Sequence, residues 1–273
     1  MTEVFEWRSA PLADFAVIGD PIGHSLSPQM FNAAFKAVGL YYKYVAIHVP
    51  VGEVDKALDL LADWRYLGVN ITVPHKETAM NWVKSVDSLA SKIGAINTIN
   101  LRTREGINTD AGGLLDVLSQ CQVPLNSKVL VLGAGGSARA ALVALTDAGY
   151  QVNAYNRTKS KLEALVDELR VPVTILSEPD LSSVDVVVNA TSASLTGDSL
   201  NLDWSRSNPG TVAFDLAYGD SETVFIKEAK RAKLRTVDGK TLLVAQGVRS
   251  FRFLLVPEPP VNVMKIAIGL ESI

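Results

Sequence analysis

Four apolar residues, Val129-Leu130-Val131-Leu132, pass directly into Gly133-Ala134-Gly135-Gly136-Ser137-Ala138-Arg139. A short apolar run ending on glycine, followed by an alanine- and leucine-rich stretch, reads as a buried strand turning into a helix. The glycines have the form G-x-G-x-x-A. Gly133 suits the tight turn, and Gly135 lets backbone approach a pyrophosphate. Ala138 lets the helix pack close to the sheet. The helix N-terminus, at Gly136 and Ser137, supplies unpaired N–H groups and a partial positive charge. The bland alternative is a glycine turn before an ordinary helix, but strand and helix flank the motif in the correct order.

The end of the next strand, Gln151–Tyr155, discriminates between dinucleotides. An NAD site places Asp or Glu there to accept from the ribose 2′-OH. Here, 23 residues after Gly133, the chain reads Asn156-Arg157-Thr158. All three are donors suited to a 2′-phosphate, and no carboxylate is present, which points to NADP. A helix capped by Thr158 follows, with Leu162, Leu165, Val166 and Leu169 on one face. Residues 184–188 and 211–215 read as further strands, and 223–233 as a helix.

The same alternation occupies the first part of the chain. Residues 15–19 form a buried strand, and Ser27-Pro28 offers an N-cap and first-turn proline for a helix to Val38, stopped by Gly39. Residues 44–49 and 69–73 are strands. Residues 53–64 are a helix with Val54, Ala57, Leu58 and Leu61 inward. A short helix starts near His75, and residues 95–101 are extended. The first part is thus an α/β unit, and the strand–helix repetition of the second predicts a parallel sheet covered on both faces. The tail, 239–273, reads as two helices around Pro257-Glu258-Pro259-Pro260. It is too short for its own core and must pack on one of the two units.

A chain of 273 residues with 48% hydrophobic and 20% charged residues is globular, of about two domains. Its formal net charge of −3 argues against a nucleic-acid or anionic-membrane partner. The single cysteine, Cys121, fits a reducing compartment. The first residues lack the pattern of a signal peptide, and no apolar run is long enough to span a membrane. His24, His48 and His75 lack metal-ligand spacing, so no metal is expected.

The first unit's strand ends are unusually polar. They carry His24-Ser25-Leu26-Ser27-Pro28, then Asn70-Ile71-Thr72-Val73-Pro74-His75-Lys76, then Gly94-Ala95-Ile96-Asn97-Thr98 and Asn108-Thr109-Asp110. In open α/β sheets, ligands bind beyond the carboxyl ends of the strands. These hydroxyls and amides, with one lysine and one aspartate, suit a small, polyhydroxylated anion. Singly, each has an ordinary explanation: Ser27 as a cap, Asn97 as a turn residue, Lys76 as a surface cation.

Together, with Gly-Ala-Gly-Gly-Ser-Ala-Arg, Asn-Arg-Thr, Asn189-Ala190-Thr191, Asp238-Gly239 and Gln246, these motifs span nearly the whole chain. In this it closely resembles the shikimate dehydrogenase family. The resemblance implies an α/β substrate domain over 1–110 and 240–273, and a Rossmann-type NADP domain with a doubly wound parallel sheet over 111–239. It implies reversible reduction of 3-dehydroshikimate to shikimate with NADPH, a step of aromatic amino acid and chorismate biosynthesis, in a cytoplasmic monomer or homodimer.

By the same resemblance, Lys76 and Asp110 form the catalytic pair. Ser25 and Ser27 bind the substrate carboxylate, while Thr72, Asn97, Asp110, Tyr218 and Gln246 hold the substrate. Gly133, Gly135, Gly136, Ser137, Ala138, Asn156, Arg157, Thr158, Thr191 and Gly239 serve the cofactor. The chain departs from the family pattern at Ser194, Asp220 and Leu242, on the nicotinamide side. Two alternatives accompany this reading: a quinate or dual quinate/shikimate dehydrogenase, and a non-catalytic NADP-binding regulator. The second would be expected to lose Lys76 or Asp110 before the glycines.

Overall fold

The computed structural model describes residues 2–219 and 221–271, with the backbone alone at 194 and 195. The chain divides into two compact units, one of Met1–Thr109 with Leu243–Ile273, the other of Asp110–Leu242.

The first unit contains strands β1 (Val4–Glu6), β2 (Phe15–Gly19), β3 (Tyr44–His48), β4 (Gly68–Ile71), β5 (Ser85–Val86), β6 (Thr98–Asn100) and β7 (Glu105–Ile107). They form one sheet in the order β1-β3-β2-β4-β6-β7-β5. Helices α1 (Ser27–Ala37), α2 (Val54–Asp63) and α3 (Ser88–Ile93) connect them. Strand residues alternate between faces. Ala16, Ile18, Val45, Ile47, Val69 and Ile71 join Ala57, Leu58 and Leu61 of α2 in one core. On the opposite side, Phe15, Phe31, Phe35, Tyr44 and Phe251 form an aromatic cluster, with Phe31 stacked on Tyr44 at 4.6 Å.

Two sequence expectations, the Ser27 cap and the helix near His75, are corrected in this unit. The sheet is mixed, because β6 runs antiparallel to β4 and β7. A turn of four residues, 101–104, joins β6 to β7, and only antiparallel strands can be joined so tightly. The cap of α1 is Leu26, with no side-chain cap bond; Ser27 is already helical. The expected helix near His75 is instead a 3₁₀ turn at Thr78–Asn81. Helix α3 was not expected. It starts at Asp87, whose Oδ1 accepts from the Ala90 N–H at 2.6 Å, and ends at left-handed Gly94.

The second unit holds α4 (Thr109–Gln120), which starts at the last residue of the first unit, and β8 (Lys128–Leu132), α5 (Gly136–Asp147) and β9 (Gln151–Tyr155). Then come α6 (Lys159–Leu169), β10 (Val173–Ile175), β11 (Val186–Asn189), α7 (Ala193–Thr196), β12 (Val212–Asp215), α8 (Val224–Arg231) and β13 (Arg235–Val237). All pairings are parallel, in the order β10-β9-β8-β11-β12-β13. Numbered within this sheet, that is 3-2-1-4-5-6, the doubly wound Rossmann order, with its reversal between β8 and β11. Helix α9 (Gly239–Leu254) leaves this unit, and from Leu243 onward it and α10 (Val261–Ala267) belong to the first. Among the described residues, no helix is long and apolar enough to cross a membrane.

Candidate active site

In the second unit, Gly133 sits at the reversal of strand order. Its φ is +119°, and a Cβ there would lie 2.9 Å from Ala190 O and 3.3 Å from Thr191 Cγ2. Only glycine meets both demands. The Gly133 N–H donates to Tyr155 O at 2.9 Å, so the turn also abuts the residue preceding Asn156. The glycine turn thus lies beside both Thr191 and the start of Asn156-Arg157-Thr158.

Gly135 caps α5 without a side-chain bond, so helix N–H groups are left for a ligand. A Cβ at Gly135 or Gly136 would meet nothing within 4 Å. Open space over an uncapped helix N-terminus fits a pyrophosphate. Ala138 is fully buried, as close packing of helix on sheet requires. Arg139, which sequence reasoning left unassigned, makes paired 2.8 Å bonds to Glu168, tying α5 to α6. Those bonds hold the Glu168 carboxyl below its usual range.

At the 2′-phosphate position, Asn156 Nδ2 donates to Thr158 O at 2.8 Å, folding the loop on itself. Thr158 occupies the cap of α6, but its hydroxyl makes no cap bond, contrary to the sequence expectation. Arg157 is exposed. Next to β8, the ends of β11 and β12 carry a buried network. Asn189 Nδ2 donates to Asp215 Oδ1 at 3.1 Å, and Asn189 Oδ1 accepts from the Thr191 hydroxyl at 2.7 Å. The Thr223 hydroxyl donates to Asp215 Oδ2 at 2.7 Å and caps α8. Asp215 Oδ1 also accepts from the Ala217 N–H at 3.1 Å, fixing the segment that leads to Tyr218. Gly239 packs on that segment: a Cβ there would collide with Leu216 O and Ala217 O. Asp220 and the Ser194 side chain lie outside the described residues. Leu242 is buried.

In the first unit, Ser25 and Ser27 are both buried, and Ser25 Oγ accepts from the Ser27 N–H at 3.3 Å. Thr72 follows β4. Its N–H donates to Ile18 O at 2.9 Å, and a Cβ on Gly19 would lie 2.5 Å from its Cγ2, so Gly19 leaves the room Thr72 needs. His75, buried, bonds Val49 O at 2.7 Å, and its N–H donates to Thr72 O. It therefore fixes the turn that presents Lys76, which is half-buried.

Asn97 and Gln246 come together through Thr109. Asn97 Nδ2 donates to Thr109 Oγ1 at 2.9 Å and to Gln246 Oε1 at 3.4 Å, and Thr109 Oγ1 lies 3.2 Å from Gln246 Oε1. The Thr109 N–H donates to Asn97 Oδ1 at 2.8 Å. One residue earlier, the Ile96 N–H donates to Lys76 O at 2.9 Å. The dipeptide Ile96-Asn97 therefore anchors the backbone of Lys76 and that of the residue preceding Asp110. Thr109 had no assigned role in the sequence, because its partners are distant in the chain and no periodicity signals them. Among the described residues, no group of three or more His, Cys, Asp and Glu could hold a metal ion.

The chain matches two family models. Residues 17–99 match the shikimate dehydrogenase substrate binding domain, and 118–238 match shikimate / quinate 5-dehydrogenase. It is 38% identical over 257 residues to shikimate dehydrogenase (NADP(+)) of Methanococcoides burtonii, covering 92% of this chain and 95% of that one. The crystal structure of shikimate dehydrogenase from Aquifex aeolicus superposes with a TM-score of 0.87 at 33% identity, covering 93% of this chain and 97% of that one. Shikimate 5-dehydrogenase from Thermus thermophilus, in complex with NADP(H) and shikimate, gives 0.85 at 35% identity and the same coverage. Matched in both units, and aligned to relatives over nearly its whole length, the chain belongs to the shikimate dehydrogenase family.

Proposed function

We propose that this protein reversibly reduces 3-dehydroshikimate to shikimate with NADPH, as an NADP-dependent oxidoreductase. The observation that carries the reading is the Ile96-Asn97 anchor, which ties Lys76 and the residue before Asp110 to one buried dipeptide. It is supported by the relatives, which bear the name shikimate dehydrogenase (NADP(+)), and by a structural neighbour that holds both NADP(H) and shikimate. Nothing favours quinate over shikimate.

Reducing a ketone requires a hydride on carbon and a proton on oxygen. NADPH supplies the hydride when bound. Lys76 Nζ donates the proton to the nascent alkoxide and takes it back in the oxidation direction. Asp110 orients Lys76 and the adjacent substrate hydroxyl. Ser25 and Ser27 hold the substrate carboxylate, remote from the reacting carbon. Thr72, Asn97, Tyr218 and Gln246 fix the ring hydroxyls, so the carbonyl is presented in one orientation.

On the dinucleotide side, Gly133, Gly135, Gly136, Ser137 and Ala138 form the pyrophosphate turn. Asn156, Arg157 and Thr158 receive the 2′-phosphate, while Thr191 and Gly239 line the nicotinamide end. The substrate domain comprises 1–110 and 240–273, and the NADP domain 111–239. The enzyme works in the cytoplasm, as a monomer or homodimer, in aromatic amino acid and chorismate biosynthesis.

The experiment that tests this reading mixes the protein with shikimate and NADP and follows NADPH absorbance. Steady NADPH formation is expected. NADP binding without turnover of shikimate or quinate would identify a non-catalytic regulator instead.

A further inference from the structure

Helix α9 carries Gln246, Ser250 and Leu254 at intervals of four, hence on one stripe. Leu254 and Ser250 meet the β4–β6 pair, and Gln246 meets the residue that precedes β6. A Cβ on Gly68, at the start of β4, would lie 2.6 Å from Leu254 Cδ2. Two residues along, Asn70 Nδ2 donates to Ser250 Oγ at 2.8 Å and to Thr98 Oγ1 at 2.9 Å, and Thr98 Oγ1 is 3.2 Å from Ser250 Oγ. Asn70 and Thr98 are register partners across β4 and β6. One helical turn further, Gln246 reaches Asn97 and Thr109. Between the lower two levels, four helical residues rise about 6 Å and two strand residues about 6.6 Å, so helix and strand stay in step there.

Ser250 is the polar member of this stripe at the middle level, and it is fully buried. Leu254 over Gly68 supplies only shape. A directional bond from Asn70, itself held by the Tyr44 hydroxyl at 2.7 Å, sets where the helix stops along the strands. Burying a hydroxyl there is costly unless it is bonded, so a shifted register would take Ser250 Oγ from its strand partners, while Asn70 keeps Thr98 and Tyr44.

We infer that Ser250 is a positioning residue for the substrate site: its hydroxyl fixes the register of α9 on β4 and β6, and thereby places the Gln246 amide against Asn97 and Thr109. The inference rests on Gln246 and Asn97 holding substrate.

Ser250→Ala, Gln246→Ala and the double variant test it, each assayed for KM against shikimate, KM against NADP and thermal midpoint. Ser250→Ala is expected to raise the KM for shikimate about 3- to 10-fold, short of the ~10²-fold that a full ångström of misplacement can cost. The KM for NADP should stay within about 2-fold. In the Gln246→Ala background, Ser250→Ala should add nothing to the KM for shikimate, because it acts through Gln246. If Ser250→Ala is too unstable to assay, Ser250→Cys keeps the volume, replaces the hydroxyl by a weak hydrogen-bonding thiol and carries the same expectation. A lowered thermal midpoint with an unchanged KM would overturn the inference and leave Ser250 a purely structural residue, as would full additivity with Gln246→Ala. A wild-type KM in Gln246→Ala would remove Gln246 from the site, and the inference with it.

Discussion

Asn97 and Thr109 bind each other through both main chain and side chain. The Thr109 N–H donates to Asn97 Oδ1 at 2.8 Å, and Asn97 Nδ2 donates to the Thr109 hydroxyl at 2.9 Å. The pair fixes the chain where β7 gives way to α4, one residue before Asp110. Since Ile96 also holds Lys76 O, the backbones of Lys76 and of Thr109, the residue before Asp110, are anchored at adjacent positions.

Lys76→Ala should lower kcat by about 10²–10⁴-fold, the usual scale for a lost general acid–base group. NADP binding, by fluorescence titration, should persist, because the glycine turn is untouched. Near-normal turnover would exclude Lys76 as the proton donor. Asp110→Asn should also impair turnover, since it removes the charge and keeps the shape.

Ser25→Ala and Ser27→Ala should raise KM for shikimate more than they lower kcat, the signature of lost uniform binding. The two should differ in stability. Ser25 Oγ accepts the Ser27 N–H, whereas Ser27 does not cap α1, so Ser25→Ala should lower the thermal midpoint more. An unchanged KM in both would remove the carboxylate assignment.

The longer strands and helices of both units were legible because their apolar spacing is strong. Val54, Ala57, Leu58 and Leu61 were expected on one face of α2, and all four are buried. The glycine motif predicted its own turn, and Gly133 has the positive φ that a glycine supplies. Short strands such as β1 and β5 carry too few residues for a period to register. The Asn70–Ser250 and Asn97–Gln246 bonds join residues 180 and 149 positions apart. Such pairs leave no local trace in a single sequence. Ser27 was misassigned as a cap because Ser-Pro is compatible with a helix starting one residue earlier.

Arg157→Ala should weaken NADP binding by roughly 10- to 150-fold, from about 1.5–3 kcal/mol for a bond to a charged group. NAD binding should barely change, because it has no 2′-phosphate to lose. A small, equal effect on both dinucleotides in calorimetric titrations would show Arg157 to be merely solvated.

His48, at the end of β3, lies 3.0 Å from Glu6 and 3.2 Å from Asp20. The Glu6 bond chiefly, helped by Asp20, raises its pKa above 6.5. A raised folded value means the stabilisation is full below the unfolded value and fades as pH rises through the folded one. The thermal midpoint of His48→Gln should therefore fall furthest below wild type at mildly acidic pH and converge on it as pH rises through the raised folded value. The stabilisation should be under about 1 kcal/mol, since the pair is partly exposed. A gap that widens with pH would contradict the assignment.

Comparing kcat/KM for shikimate and quinate, each with NADP and NAD, tests the assigned activity most directly. The donors at Asn156-Arg157-Thr158 and the absence of a carboxylate there predict NADP over NAD, and the match to shikimate dehydrogenases predicts shikimate over quinate, so shikimate with NADP should be the best of the four pairs. Losing a bond to a charged 2′-phosphate should cost NAD at least about tenfold. A higher value for quinate with NAD, or no turnover of any pair by a protein that binds NADP, would contradict it.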